Sequence, residues 1–303
     1  MKRKLVKHGE STLTISLPSK WVKGHSLKRG DYLNMEISDQ GLVLSPEITH
    51  YEKIEINLEK KDNWYIEKIL TNLYISGFDE IKIKMSNIDQ LELIRRSLIE
   101  LTGFEIIETK KDYCIIKNIA SIDNVNYEET IERIFWMILS QFDNLLEDLK
   151  KKKLTNYNLS VNDHKTIIKQ INLSRRIINK KISFGLITSK YVFNFLTSLL
   201  NISRIIQYSY EYLKRTGNLQ FSEDELDFIF KMREFYYLLI LAYKNLNLEK
   251  TKTFLEEREK ISDNSLEILK AKNPAIMHFF LDVLKELSGI SNLIIILTIK
   301  NSD

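Results

Sequence analysis

The sequence predicts a multidomain α+β protein in three successive parts. Residues 1–48 alternate polar and apolar side chains with a period of two. Residues 51–118 switch between that period and helical spacing. From 126 to 300 apolar residues recur three and four apart. Only 9 Gly and 3 Pro occur in 303 residues, which favours long helices over a turn-rich all-β chain.

The first part, 1–48, reads as a β-hairpin module. Leu5-Val6-Lys7 is a short strand, His8-Gly9-Glu10 a turn, and Thr12 to Leu17 an alternating strand ended by Pro18. Ser19 to Lys23 allows one helical turn with Trp21 and Val22 facing inward. Lys28-Arg29-Gly30-Asp31 is a turn. Tyr32 to Ile37 is a strand, Asp39-Gln40-Gly41 a hairpin turn and Leu42 to Leu44 its return. Strands this short in fewer than 50 residues bury little alone, so the module needs a partner, most simply a second copy of itself.

The second part, 51–118, is a small βαβαββ domain. Lys53–Leu58 and Ile81–Met85 are strands, and Phe104–Glu108 with Tyr113–Lys117 form a closing hairpin around Lys110-Lys111-Asp112. Asp62–Ser76 is a helix stopped by Gly77. A second helix, capped by Ser86 or Asn87, runs to about Leu101 before Gly103. This order predicts one sheet with helices on one face. Cys114 lies in the last strand and reads as a small buried hydrophobe.

The third part, 126–300, is all α. Ile131, Ile134, Phe135, Ile138, Phe142, Leu145, Leu146 and Leu149 line one face of the first helix. Further helices span about Asp163–Phe184 and Thr188–Arg215, with Gly217 as the stop. Ser222 and Glu225 form a capping box for the fourth. The fifth covers roughly 249–271, and Asn273-Pro274 opens the sixth. Three helices, a break at 216–221 and three more helices predict a pair of three-helix bundles, about 126–217 and 222–300.

The totals exclude several classes. A single cysteine rules out a disulfide framework. Met1 leads into Lys-Arg-Lys with no apolar segment behind it, so no signal peptide is expected. The apolar stretches 192–206 and 287–299 are too short or too interrupted to span a membrane. A cytoplasmic protein without membrane insertion is the expectation. Neither G-x-G-x-x-G nor G-K-[ST] occurs, and His8, His25, His50, His164 and His278 are scattered without metal spacing. No nucleophile–base set assembles, so no enzyme, cofactor or metal is expected.

Charge is distributed unevenly. Residues 1–30 carry eight basic side chains and one acidic, a net +7, whereas the remainder is −3. A basic head on a near-neutral body suits a polyanionic partner, because lysine and arginine neutralise phosphates and release counterions. Arg3, Lys4, Lys7, His8, Ser11, Thr12, Lys20 and Lys23 are the candidate DNA contacts.

Residues 1 to about 47 resemble the AbrB/SpoVT swapped-hairpin family. The match rests on Ser16-Leu17-Pro18-Ser19-Lys20-Trp21-Val22, Leu27-Lys28-Arg29-Gly30-Asp31 and the closing hairpin Asp39 to Leu44. The resemblance implies that two chains interleave their hairpins into a dimeric barrel presenting basic loops to DNA. The helical half resembles the PhoU family in helix count, length and symmetry. That family acts in phosphate homeostasis and binds metal clusters through acidic residues one turn apart. Here Ile206-Gln207-Tyr208 and Ser288 to Asn292 occupy two of the matching stretches, and Asn172, Arg175 and Arg176 stand where helix two would supply carboxylates. The acidic pairs Asp143/Glu147 and Asp282/Glu286 remain, each read as a solvated helix face.

An AbrB-like head followed by a PhoU-like tail is similar to archaeal proteins described as phosphate uptake regulators. The resemblance implies a homodimeric, DNA-binding transcription regulator linked to phosphate uptake, its tail engaging a phosphate-transport or signalling protein. The alternative is an adaptor that dimerises through the hairpin and binds a transporter or kinase without DNA.

Overall fold

The computed structural model describes residues 2–9, 11–38, 41–46, 51–58, 62–120, 126–180, 186–263 and 265–300. The chain divides into two compact units, Met1–Tyr51 and Glu52–Asp303.

The N-terminal unit consists of two antiparallel hairpins and a short helix. Strands β1 (Val6–His8) and β2 (Thr12–Thr14) pair as Val6↔Thr14, Lys7↔Leu13 and His8↔Thr12. β1 keeps the expected three residues but is shifted one residue on to include His8, and β2 stops at Thr14, short of the expected Leu17. Helix α1 is Ser19–Gly24, entered through Pro18. Strands β3 (Leu33–Ser38) and β4 (Gly41–Pro46) pair from Leu33↔Pro46 to Ser38↔Gly41. The expected turn residues Glu10, Asp39 and Gln40 lie outside the described residues. None of the unit's residues whose side chains are described is buried. Trp21 and Val22, expected to face inward, are only half-buried, and α1 contributes no core residue.

In the second unit the βαβαββ order appears as one four-stranded sheet with strand order β5-β6-β8-β7. Its strands are β5 (Lys53–Asn57), β6 (Glu80–Lys84), β7 (Phe104–Thr109) and β8 (Tyr113–Asn118). β5 and β6 are parallel, and β8 runs antiparallel to both β6 and β7. Helices α2 (Asn63–Ile75) and α3 (Ile88–Leu98) supply Ile66, Leu70, Tyr74, Leu91 and Ile94 to a core with Ile81, Ile83, Phe104, Cys114 and Ile116. Asn87 is the residue that caps α3, accepting from Gln90 N at 3.0 Å. Gly103 sits at φ +84°, where an added Cβ would lie 2.7 Å from Ala120 Cβ and from Asn118 Oδ1. Cys114 is fully buried, and burial pushes its thiol up to about 11.

Six α-helices follow: α4 (Tyr127–Lys151), α5 (Tyr157–Lys180), α6 (Leu186–Thr216), α7 (Glu223–Asn245), α8 (Leu248–Asp263) and α9 (Pro274–Lys300). α4, α5 and α6 pack together, as do α7, α8 and α9. α4 meets α7 and α6 meets α9, so one continuous core runs through all six. Phe135, Phe195, Tyr236 and Tyr243 form its aromatic centre, with Phe195 and Tyr243 stacked at 5.4 Å. Tyr236 donates to Phe135 O at 3.2 Å, and Lys244–Glu132 and Arg233–Asp143 pairs at 2.9 Å cross the same seam.

Helix bounds depart from expectation in two places. α5 begins six residues before Asp163, because Ser160 in its first turns is buried between Gln141 and Gln207. Its expected end at Phe184 lies outside the described residues. The expected fifth helix stops at Asp263, and a 3-10 helix, Ser265–Lys270, follows. The capping box is present: Ser222 Oγ accepts from Glu225 N at 3.3 Å, and Glu225 Oε2 accepts from Ser222 N at 2.8 Å. Glu225 also accepts from Asn273 N at 2.6 Å, which ties the start of α7 to the start of α9. Burial pushes its carboxyl up, but the donors from Ser222 and Asn273 outweigh that and hold it below the usual carboxylate range.

The sheet domain is joined to the helices at α5. Arg176 is fully buried and donates to Tyr74 O, Phe78 O and Asp79 Oδ1, each at 2.8 Å. Asn179 donates to Ile75 O at 2.8 Å, and Lys180 pairs with Asp79. Three of these acceptors are carbonyls at or just beyond the C-terminal end of α2, where helix carbonyls lack intrahelical partners and cations are favoured. The Arg176 guanidinium also lies 5.0 Å from the Tyr74 ring centroid and 5.1 Å from that of Phe104.

Candidate nucleic-acid interface

All eight sequence-derived candidates are exposed in the N-terminal unit. None of their charged side chains enters an ion pair with another described residue.

The backbone sorts the candidates into groups. Cross-strand register places His8 beside Thr12, on the face that also holds Val6 and Thr14; Thr14 Oγ1 donates to Val6 O at 3.1 Å. Lys7 pairs with Leu13 on the opposite face. Lys20 and Lys23 are three residues apart on α1 and so share one side of it. Arg3 and Lys4 precede β1, and Ser11 precedes β2. The structure therefore brings together His8 with Thr12 and Lys20 with Lys23. It separates Lys7 from His8 and Thr12, because strand side chains alternate between faces.

Lys28 and Arg29 lie outside the eight candidates. Both are exposed on the turn Leu27–Asp31. That turn is held by Asp31 Oδ2 accepting from Lys28 N at 2.6 Å and by Asp31 N donating to Lys28 O at 3.2 Å. Gly30 takes φ +97°, which a side chain would resist.

Many of the unit's apolar side chains are exposed beside its basic ones. Leu5, Val6, Leu13, Ile15, Tyr32, Met35 and Leu42 expose between 47% and 78% of their surface. The β3–β4 register puts positions 33, 35, 42 and 44, all Leu or Met, on one face. An isolated two-stranded hairpin is marginal in water, and an amphipathic one leaves its apolar face to be covered.

In the second unit, among the described residues, no three His, Cys, Asp or Glu side chains group as a metal site. The acidic pairs singled out in the sequence meet protein partners instead. Arg233 bonds Asp143, Lys151 and Asn156 bond Glu147, His278 lies 3.6 Å from Asp282, and Asn201 bonds Glu286. Among the described residues no helix is long and apolar enough to cross a membrane.

No protein-family model matches the chain, and no curated protein or solved structure is significantly similar to it.

Proposed function

We propose that the chain is a homodimeric transcription regulator whose N-terminal unit binds DNA. The observation that carries this reading is the combination found in residues 1–51. Eight large apolar side chains are exposed among its described residues, and every described lysine and arginine in it is exposed as well. A second copy would cover the apolar faces. The basic side chains of two copies would then act jointly on phosphates, with sequence read by base-edge or shape contacts. The link to phosphate uptake rests on the resemblance of the helical half to the PhoU family, and that half would report phosphate status through a partner protein. Coupling of this kind requires two states that DNA and partner populate differently.

A second reading is favoured by the same apolar faces. They call for a partner chain and place no demand on DNA. In that reading the hairpins only dimerise, and the helices bind a transporter or kinase.

The test is DNA binding by the full-length protein across a salt series, with its own promoter region and a scrambled control. A variant carrying Lys20→Ala and Lys23→Ala is measured alongside. Binding that prefers the promoter, falls steeply with salt and shows a shallower salt slope in the variant supports the regulator. A folded dimer that fails to bind at low salt leaves the adaptor.

A further inference from the structure

Helix α5 buries side-chain donors that the protein leaves unmet, at Asn172, Ser174, Arg175 and Arg176. The Asn172 side-chain nitrogen is buried without a hydrogen-bond partner. Arg175, three residues on, is about nine-tenths buried. Its Nη2 donates to Thr197 Oγ1 at 2.8 Å, and its guanidinium lies 4.9 Å from the Phe193 ring centroid. Its Nε is buried and has no acceptor.

The facing stripe of α6 carries Thr197, Asn201 and Arg204, spaced four and three apart. Arg204 Nη1 donates to Asn201 Oδ1 at 3.1 Å. The neighbouring Ser203 Oγ meets His164 Nδ1 at 2.8 Å, and His164 of α5 lies near enough to feel the charge of Arg204. Among the described residues neither Arg175 nor Arg204 has a carboxylate within ion-pair distance. Glu286 of α9 lies at the edge, bonded by Asn201 Nδ2 at 2.9 Å. Burial lowers both Arg175 and His164 from their ordinary values, and the positive charge of Arg204 adds to each shift.

Arg176, the next residue, shows the contrast. It is buried on the same helix, yet two carbonyls and a carboxylate meet its two Nη groups, although its Nε, like that of Arg175, is buried without an acceptor. Arg175 has one hydroxyl and an aromatic face. Buried charged donors are ordinarily satisfied. A cluster with two guanidinium groups and a free amide N–H, whose one carboxylate, Glu286, bonds Asn201 at the edge and pairs with neither arginine, repels cations and leaves an apolar ligand with nothing to offer those donors. An oxyanion answers all of them at once, because each oxygen accepts several charge-assisted hydrogen bonds.

We propose that α5 and α6 form a binding site for a small oxyanion of the phosphate or sulfate class, held by Asn172, Arg175 and Arg204 with Thr197 and His164 at its rim. Thr197, Asn201, Arg204 and His164 are half-buried, so the cluster opens to solvent on that side. The site belongs to the unit 52–303 and does not depend on the reading of residues 1–51.

The experiment is isothermal titration and thermal unfolding of the full-length protein with sodium phosphate, sodium sulfate, phenyl phosphate and, at matched ionic strength, sodium chloride. The expected result is saturable binding of phosphate or sulfate with a Kd of about 1 mM or tighter, and none of chloride. Arg204→Ala, at a half-exposed position, and Arg175→Lys are each expected to weaken it at least about tenfold. Binding of phenyl phosphate as well points to a phosphoryl group on a larger molecule, and its exclusion points to the free ion. Stabilisation that rises without saturating and equals that of chloride overturns the site. Binding within twofold of wild type in a folded Arg204→Ala protein overturns the assignment of these residues.

Discussion

Replacing Arg176 with Met is expected to release the sheet domain from the helices. Met keeps an unbranched chain between the Tyr74 and Phe104 rings but removes the donors to Tyr74 O, Phe78 O and Asp79 Oδ1. Each lost carbonyl hydrogen bond costs about 1 kcal/mol and the carboxylate contact about 2 kcal/mol. Lys180 stays on Asp79, and the cost of burying a guanidinium disappears, so the net loss is about 3 kcal/mol. The loss falls on the joint between α2 and α5, so the sheet domain opens more often while the six-helix core keeps its contacts.

Cys114, the chain's single cysteine, is fully buried in the sheet domain's own core and reports unfolding of that domain, which the loss of the joint makes easier. When closing is fast relative to labelling, its rate of thiol modification follows the open population. A loss of about 3 kcal/mol raises that rate roughly 100-fold, since about 1.4 kcal/mol is tenfold. The helical circular-dichroism transition in denaturant should move much less. A labelling rate within about threefold of wild type would refute the reasoning, because Arg176 would then not hold the joint.

Two further outcomes follow from buried polar groups. Glu225→Ala removes the acceptor for Ser222 N and Asn273 N together, so denaturant unfolding should show a loss of about 2–3 kcal/mol, against near-neutral effects at the exposed Glu223. Burial chiefly, with the charge of Arg204, holds His164 down to about 4 from an ordinary 6.5. Between those values the unfolded chain binds the proton and the folded one does not, so stability is full above 6.5 and declines as pH falls to about 4. The full linkage is about 3 kcal/mol; the ring is partly open to water, so about 1–2 kcal/mol is expected, and His164→Gln should flatten that segment of the stability–pH profile.

Local patterns made much of the chain's secondary structure legible. The Ser222–Glu225 cap, Pro274 at the first turn of α9 and the glycine stops at 77, 103 and 217 each act within a few residues of their own position. The apolar spacing on α4 likewise marks the side that becomes buried. Where local propensity was weak, boundaries were missed: Tyr157 to Val161 are modest helix formers, and distant partners of Ser160 hold them in α5. The candidate interface was legible as residue types and charge. Its division between hairpin faces was not, because the register of β1 on β2 decides which side each residue takes.

By itself the sequence determined the order of elements, the basic head and the residues able to bury, since these follow from periodicity and composition along the chain. Only the tertiary structure decided that the two helical triads share one core, that Arg176 reaches back 97 residues to Asp79, and that Arg175 beside it meets no carboxylate. Two adjacent arginines on one helix look alike in a sequence. Their positions differ by about 100° around the axis, and that rotation delivers one to the end of α2 and the other to the stripe of α6.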